Sequence, residues 1–466
     1  MSEPLLLNDV HSRLNPTRVR ELVVPSNIEE VSAAVQRAAG AGLPVGVCGG
    51  RHAMGGQQFA TDGLQIDLGQ LNGITAFDPG GCRVSAGAGI QWPALAEGLA
   101  SRQLEASRPL TFRQKQTGAD RLSLGGALSA NVHGRGLRYK PFVEDVDSFV
   151  LVDAKGEVLR CSRTENPDLF RLAIGGYGLF GVICEVTLRL VPRLHLRRVV
   201  EIASLDEVEE SFDRRLAEGF EYGDFQFMTD PSAPGFMNRG VLAAYLPVDD
   251  RVPLTEGALE LSAEQWQQLL LLAHRDKQRA FDLYSRHYLA THGQVYRSDL
   301  QQMGVYVDGY HAQLDATPAS EMITEVYLPR KELTSFMRAC AEDFRRHGVE
   351  FIYGTIRVIE PDDETFLPWA QGNRACVIFN LHVEHSPPGL ARARDDFRRI
   401  IDRALERGGS FYLTYHRWAT TEQVLAGHPR FLEFLAAKRA FDPKNVFQSD
   451  WYRHWSELFG GSRTLV

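Results

Sequence analysis

Three glycine-rich loops constrain this chain more than any other feature. They lie at residues 49–56, 118–136 and 175–181. Glycine enters backbone conformations closed to other residues and lets a second backbone, or a bulky group, come close. The first loop, Gly49-Gly50-Arg51-His52-Ala53-Met54-Gly55-Gly56, follows a buried-strand run from Leu43 to Cys48. Ahead of that strand, Ser26 and Glu29 have capping-box spacing, and Ile28, Val31, Ala34, Val35 and Ala38 recur at helical period. Gly40-Ala41-Gly42 closes the predicted helix. Gln91 to about Ala106 reads as a second helix, Ser148–Asp153 and Glu157–Cys161 as a hairpin, and Val182–Val191 as a strand.

The third loop, Gly176-Tyr177-Gly178-Leu179-Phe180-Gly181, matches G-x-G-x-x-G. The dinucleotide fingerprint requires a helix after the glycines, with its N-terminus facing a pyrophosphate. Here the β-branched run Val182-Ile183-Cys184-Glu185-Val186 follows, so that reading fails on context. The first loop follows a strand, and its backbone N–H groups suit an anion such as a pyrophosphate. His52 inside it, and His133 in its own turn, are by themselves ordinary structural histidines.

At 466 residues the chain holds two or three domains and can bury a large core. Its net charge is −8, and no basic tail or patterned aromatic-basic stripe marks a nucleic-acid binder. No apolar run approaches the ~20 residues of a membrane span. Residues 1–9 do not read as a secretory leader. The six cysteines, 48, 82, 161, 184, 340 and 376, form no CxxC pair. They predict a reduced, cytoplasmic protein.

The second half reads as strand and helix. Period two puts Tyr353, Thr355 and Arg357 on one face of the 352–358 run, and Asn380, His382 and Glu384 on one face of 377–384. Tyr412, Thr414 and His416 group likewise, as do Glu325 and Tyr327. Residues 262 to about 290 read as a long helical block. His382 and His385 would face opposite ways on a strand, so the sequence predicts no metal site, and no nucleophile elbow is present.

The order of these elements resembles the FAD-binding domain of the vanillyl-alcohol oxidase / p-cresol methylhydroxylase (PCMH-type) flavoprotein superfamily. Within it the chain is most similar to sugar, polyol and lactone oxidases and to decaprenylphosphoryl-ribose oxidase. The resemblance implies an α+β fold. Residues 18–192 would form the PCMH-type FAD-binding domain, of two α/β subdomains. Residues 193–405 would form a substrate or cap domain, an antiparallel sheet flanked by helices, and 406–466 would return to the FAD half.

By the same resemblance, Cys48, Gly49, Gly50, Arg51, His52, Ala53 and Met54 would wrap the pyrophosphate. His52 would carry a covalent 8α-histidyl link to FAD. Thr117, Gly118, Ser123, Gly125, Gly126, Asn131, His133 and Gly134 would lie along the flavin, and Ile183 would meet the adenosine part. The second loop has Ala119-Asp120 where doubly linked members carry cysteine, so one link at most is expected.

On the substrate side, Arg357, Glu325, His382 and Tyr415 match family positions. Thr355 stands where polyol oxidases have glutamate, and Tyr415-His416 where relatives use lysine. The implied reaction is oxidation of a CH–OH group by hydride transfer to flavin N5, with His382 or His416 as base and Arg357 stabilising negative charge. Electrons would pass to O2 or another acceptor. The alternatives are amine oxidation of the cytokinin-dehydrogenase type, with Glu325 or Asp224 as the carboxylate, and a flavoprotein without catalysis. The oligomeric state stays open.

Overall fold

The first helix begins one residue later than the capping-box spacing predicts. Asn27, not Ser26, is the cap: its side chain accepts the Glu30 N–H, while Ser26 donates its own N–H to the Glu30 carboxylate. The helix Ile28–Ala41 then buries Val31, Ala34, Val35 and Ala38, the predicted face, and stops at Gly42 in the left-handed region. It feeds the strand Val45–Cys48, which pairs in parallel with Leu64–Asp67; Glu21–Val23 flanks the other side. In this computed structural model, residues 5–300, 303–304 and 318–460 are described.

A five-stranded antiparallel sheet packs beside this unit. Its order is Val158–Ser162, Val146–Val152, Val182–Arg189, Arg83–Gly87 and Ile74–Asp78. Its first two strands are the predicted hairpin. The helix before it, Trp92–Ser101, is shorter than the 91–106 reading.

An eight-stranded antiparallel sheet follows, in the order Val295–Arg297, His195–Ser204, Arg239–Val248, Tyr222–Phe227, Phe351–Ile359, Arg374–Glu384, Ala319–Pro329 and Ser410–Phe411. The block read as one helix is two, Ala263–Arg275 and Lys277–Ala290. Asp276 lies outside helical geometry, and its carboxylate caps the second helix through the Arg279 N–H. The resulting α+β architecture is the one the resemblance implies.

Register in the large sheet decides what its faces carry. Thr355 pairs with Ile378 and Arg357 with Cys376, while Glu325 pairs with Ile378 and Tyr327 with Cys376. Cross-strand partners share a face, so Tyr353, Thr355, Arg357, Asn380, His382, Glu325 and Tyr327 all project from one side. The polar sets read from three separate strands are thus one polar face.

The last residues stitch back to the first unit. Val45 donates its N–H to the Val446 carbonyl at 2.7 Å, and Gln448 returns one to Val45 at 3.0 Å. The Asp450 carboxylate accepts from Thr61 N–H and Oγ1. Lys438 and Asp442, 0% and 2% exposed at their side chains, form a buried ion pair, and Asp442 also accepts the Val446 and Phe447 N–H groups. Asp442→Ala should therefore lower stability by about 3–5 kcal/mol, because it strands a buried ammonium and two N–H groups. Denaturant unfolding, followed by the fluorescence of the buried Trp451 and Trp455, checks this; a loss under ~1 kcal/mol, the worth of an exposed pair, contradicts it.

Candidate functional site

The first glycine loop and the loop from Gln116 to Ala130 face each other across a cleft of about 1130 Å3, its open mouth included. Gly50 donates its N–H to Ser123 Oγ at 3.4 Å. A Cβ on Gly49 would stand 2.2 Å from that Oγ, and one on Gly50 2.5 Å from the Arg121 carbonyl. Only glycine lets these two loops lie together. Tyr177, Gly178 and Gly181 of the third loop close one wall, and the strand Val182–Arg189 follows directly. No helix follows those glycines, so the G-x-G-x-x-G match is a turn and not a dinucleotide fingerprint.

Among the residues expected to hold a cofactor, Cys48, Gly49, Gly50, Arg51, His52, Ala53, Met54, Ser123, Gly125, Gly126 and Ile183 line this cleft. Thr117, Gly118, Asn131, His133 and Gly134 do not. Asn131 is structural instead. It ends the helix Leu124–Ala130 in a left-handed conformation, donates to Asp362 at 3.0 Å, and accepts the Val143 N–H and, at its carbonyl, the Trp369 indole N–H. Gln57, Gln58, Gln116, Ser129, Tyr412 and Thr414 also line the cleft and lie outside the expected set. So does His11, from an arm whose sequence has no periodicity to announce it.

That arm is anchored by Asp9, whose carboxylate accepts the Ser12 N–H and hydroxyl, and by Asn15, which donates to the Met54 carbonyl at 2.8 Å. It sets His11 Nε2 2.8 Å from His52 Nδ1. Burial, then the neighbouring His11, pushes His52 down to about 3. Its imidazole is therefore neutral at pH 7, with a lone pair to offer.

Behind the cleft lies a buried polar cluster, reached through one side chain. Tyr415 lines the cleft and donates its hydroxyl to Glu325 Oε2 at 2.9 Å. Glu325 Oε1 accepts from the Tyr327 hydroxyl at 2.6 Å and the Cys376 thiol at 3.2 Å, and meets His133 Nε2. His133 Nδ1 in turn lies 2.8 Å from the Gly134 carbonyl. Burial pushes the Glu325 carboxyl up, but His133, the hydrogen bonds from His133 and Tyr327, and the Arg357 guanidinium outweigh it and hold it at about 2. Burial and the Glu325 charge raise the Tyr415 phenol well above its usual range. Glu325 is thus an ionised acceptor and Tyr415 a neutral phenol. Arg357 reaches the Gly134 carbonyl at 3.4 Å, and its Nε is buried with no hydrogen-bond partner among the described residues.

Two residues expected as the base stand elsewhere. His382 does project from the polar face, but it pairs with Glu321, four residues along the strand from Glu325. At ~3.4 Å per residue that is about 13 Å away. His416 fails for another reason. The strand of Ser410–Phe411 is only two residues long, so alternation does not extend to 416. The chain turns, Tyr412, Thr414 and Tyr415 enter the cleft, and His416 packs on Phe397 and Trp418. There its Nδ1 accepts the Trp418 N–H, and burial holds it at about 3.

A family model described as an FAD binding domain matches residues 19–162, which supply the first two glycine loops. Over those residues the chain carries an FAD-binding domain. This flavoprotein is 25% identical over 435 residues to L-gulono-1,4-lactone dehydrogenase of Mycobacterium tuberculosis, covering 93% of this chain and 95% of that one. It is 30% identical over 212 residues to L-gulonolactone oxidase of Bos taurus, spanning 44% of each chain. A mitochondrial L-galactono-1,4-lactone dehydrogenase of Arabidopsis thaliana matches at 26% over 217 residues, 46% of this chain and 34% of the relative.

The cleft fits FAD on its own chemistry. The loops that meet at Gly49 and Gly50 leave no side chain between backbone and ligand. Gln57 Oε1, Gln58 Oε1, Gln116 Oε1 and the Thr117 hydroxyl, at or beside the walls, are buried with no hydrogen-bond partner among the described residues. Orphaned polar atoms are rare in folded proteins, and a ligand bearing both donors and acceptors accounts for them. Among the described residues no helix is long and apolar enough to cross a membrane.

Proposed function

We propose that this flavoprotein oxidises a CH–OH group of a sugar lactone or related polyol, with FAD in the cleft attached through His52, and that O2 or another acceptor takes the electrons. The single observation that carries this reading is Tyr415, whose phenol stands in the cleft wall with its hydrogen committed to an ionised carboxylate. Bound FAD supplies the two-electron acceptor that takes hydride from the substrate carbon.

The hydroxyl proton of the substrate must leave as its carbonyl forms. Tyr415 Oη, already donating to Glu325, presents its lone pairs to the cleft and accepts that hydroxyl. The charge on Glu325, a carboxyl held at about 2, polarises the tyrosine O–H and makes Oη a stronger acceptor as the substrate proton departs. His133 and Tyr327 hold Glu325 in place on its other oxygen. Arg357, expected to face the substrate, does not line the cleft; its fixed positive charge acts on Glu325 and helps keep that carboxylate ionised. The lactone relatives, oxidases and dehydrogenases alike, support the CH–OH assignment over amine oxidation. So does the cleft itself: its walls hold no Asp or Glu among the described residues. Glu325 lies behind Tyr415, and Asp224 is tied to Arg135 and Thr355.

Anaerobic mixing tests the class. L-gulono-1,4-lactone, L-galactono-1,4-lactone or a polyol should bleach the flavin's visible absorbance, and amines should not. Bleaching by amines alone, or by no member of the panel, would sink the assignment.

A further inference from the structure

The geometry points to a second site, unrelated to the flavin: a divalent transition-metal site built by His274, Glu321 and His382. Glu321 and His382 are direct cross-strand partners on the polar face of the large sheet. The helix Ala263–Arg275 lays His274, in its last turn, over that pair. His382 Nδ1 is 2.9 Å and His274 Nε2 3.2 Å from the same oxygen, Glu321 Oε1. One donor atom from each residue lies within 4.8 Å of the others. Two ligand atoms on a tetrahedral ion, each bonded at ~2.0–2.1 Å, stand ~3.3 Å apart. The two histidine-to-carboxylate distances already hold about that spacing.

Two further observations favour an ion here. The side chains are only 9–11% exposed, so packing fixes their rotamers before any ion arrives. His382 also lines a polar cavity with Glu350, Glu384, Asp396, Arg392 and Arg399, which opens the site to solvent at that one ligand. Two imidazoles and one carboxylate suit Zn2+ and its neighbours over Mg2+ or Ca2+, and leave a fourth position open. On binding, each imidazole turns a lone pair to the ion; for His382 this replaces the hydrogen-bond contact of Nδ1 with Glu321 Oε1. No oxidation or bond cleavage is involved. The pattern His382-Val383-Glu384-His385 concealed the site, because its other ligands come from residues 274 and 321.

The ion would lie two residues along the strand from Ile323, which lines the flavin cleft. It would pin the helix to the sheet that covers that cleft.

The holoprotein, stripped with a chelator and dialysed against ZnCl2, should retain one Zn2+ per chain by plasma mass spectrometry. Its melting temperature should rise with added Zn2+. Glu321→Gln and His274→Gln should each weaken binding by no less than the ~10–100-fold that loss of an outer-shell partner costs. His347→Gln, at the cavity rim, should leave it unchanged. Retained flavin absorbance shows that a variant is folded. The unsubstituted protein decides the matter alone if neither variant folds: no retained Zn2+ and no thermal shift would overturn the site. Equal Zn2+ in the unsubstituted protein and in both folded variants would overturn it too.

Discussion

Replacing Tyr415 with phenylalanine should slow substrate-driven flavin reduction by about 10²–10⁴-fold, the usual worth of a positioned proton acceptor. The flavin should stay bound, because the ring and its packing on Tyr412 remain. KM should move far less than kcat, since losing the hydroxyl removes an interaction that strengthens as the substrate proton departs. Stopped-flow reduction under anaerobic conditions separates this step from reoxidation. Glu325→Gln should act in the same direction. An amide leaves no ionised acceptor for Tyr415 and sets an N–H₂ group among the Tyr327, Tyr415 and Cys376 donors that now converge on the carboxylate. A Tyr415→Phe enzyme reduced at the rate of the unsubstituted one would remove Tyr415 from the mechanism.

The second large effect concerns His52. Acid precipitation of the unsubstituted protein should leave the yellow colour in the pellet, and His52→Ala should release it entirely to the supernatant. The physical basis is placement: His52 stands in the wall of the cleft, and burial keeps its imidazole neutral and able to form a bond to carbon. The cleft around it remains intact in the variant, so noncovalent flavin should still bind. A colourless pellet from the unsubstituted protein, or a yellow one from His52→Ala, would contradict the attachment. Neither result depends on turnover, so it stands apart from the Tyr415 test.

Much of the cleft is legible because its residues are contiguous. Residues 48–54 form one loop after one buried strand, and all seven line the cleft. The polar faces of the 352–358 and 377–384 runs are equally plain, since alternation is local. The misplacements come from carrying a local rule too far. Asn131 and His133 follow a glycine-rich helix in sequence, yet Asn131 caps that helix in a left-handed turn and His133 binds Glu325, so that of the three residues 131–133 only Val132 lines the cleft. His416 falls where the strand has already ended. Asp276 breaks a helical pattern that hydrophobic spacing alone leaves continuous. His11 belongs to an arm whose position depends on side chains far downstream, such as its bond to His52.

Periodicity, glycine content and capping thus determined the elements, their faces and the loop that meets the ligand, because each is set by interactions between near neighbours in the chain. What they left open is which faces meet. Glu325, Tyr415 and His133 come from segments ~90 and ~190 residues apart, and only sheet register and the packing of one unit on another bring them to a single carboxylate. The same register places His382 beside Glu321, two residues along the strand from the cleft wall at Ile323, and not beside Glu325. Pairing of strands distant in sequence carries no local signature, so the tertiary structure alone decided which histidine serves which site.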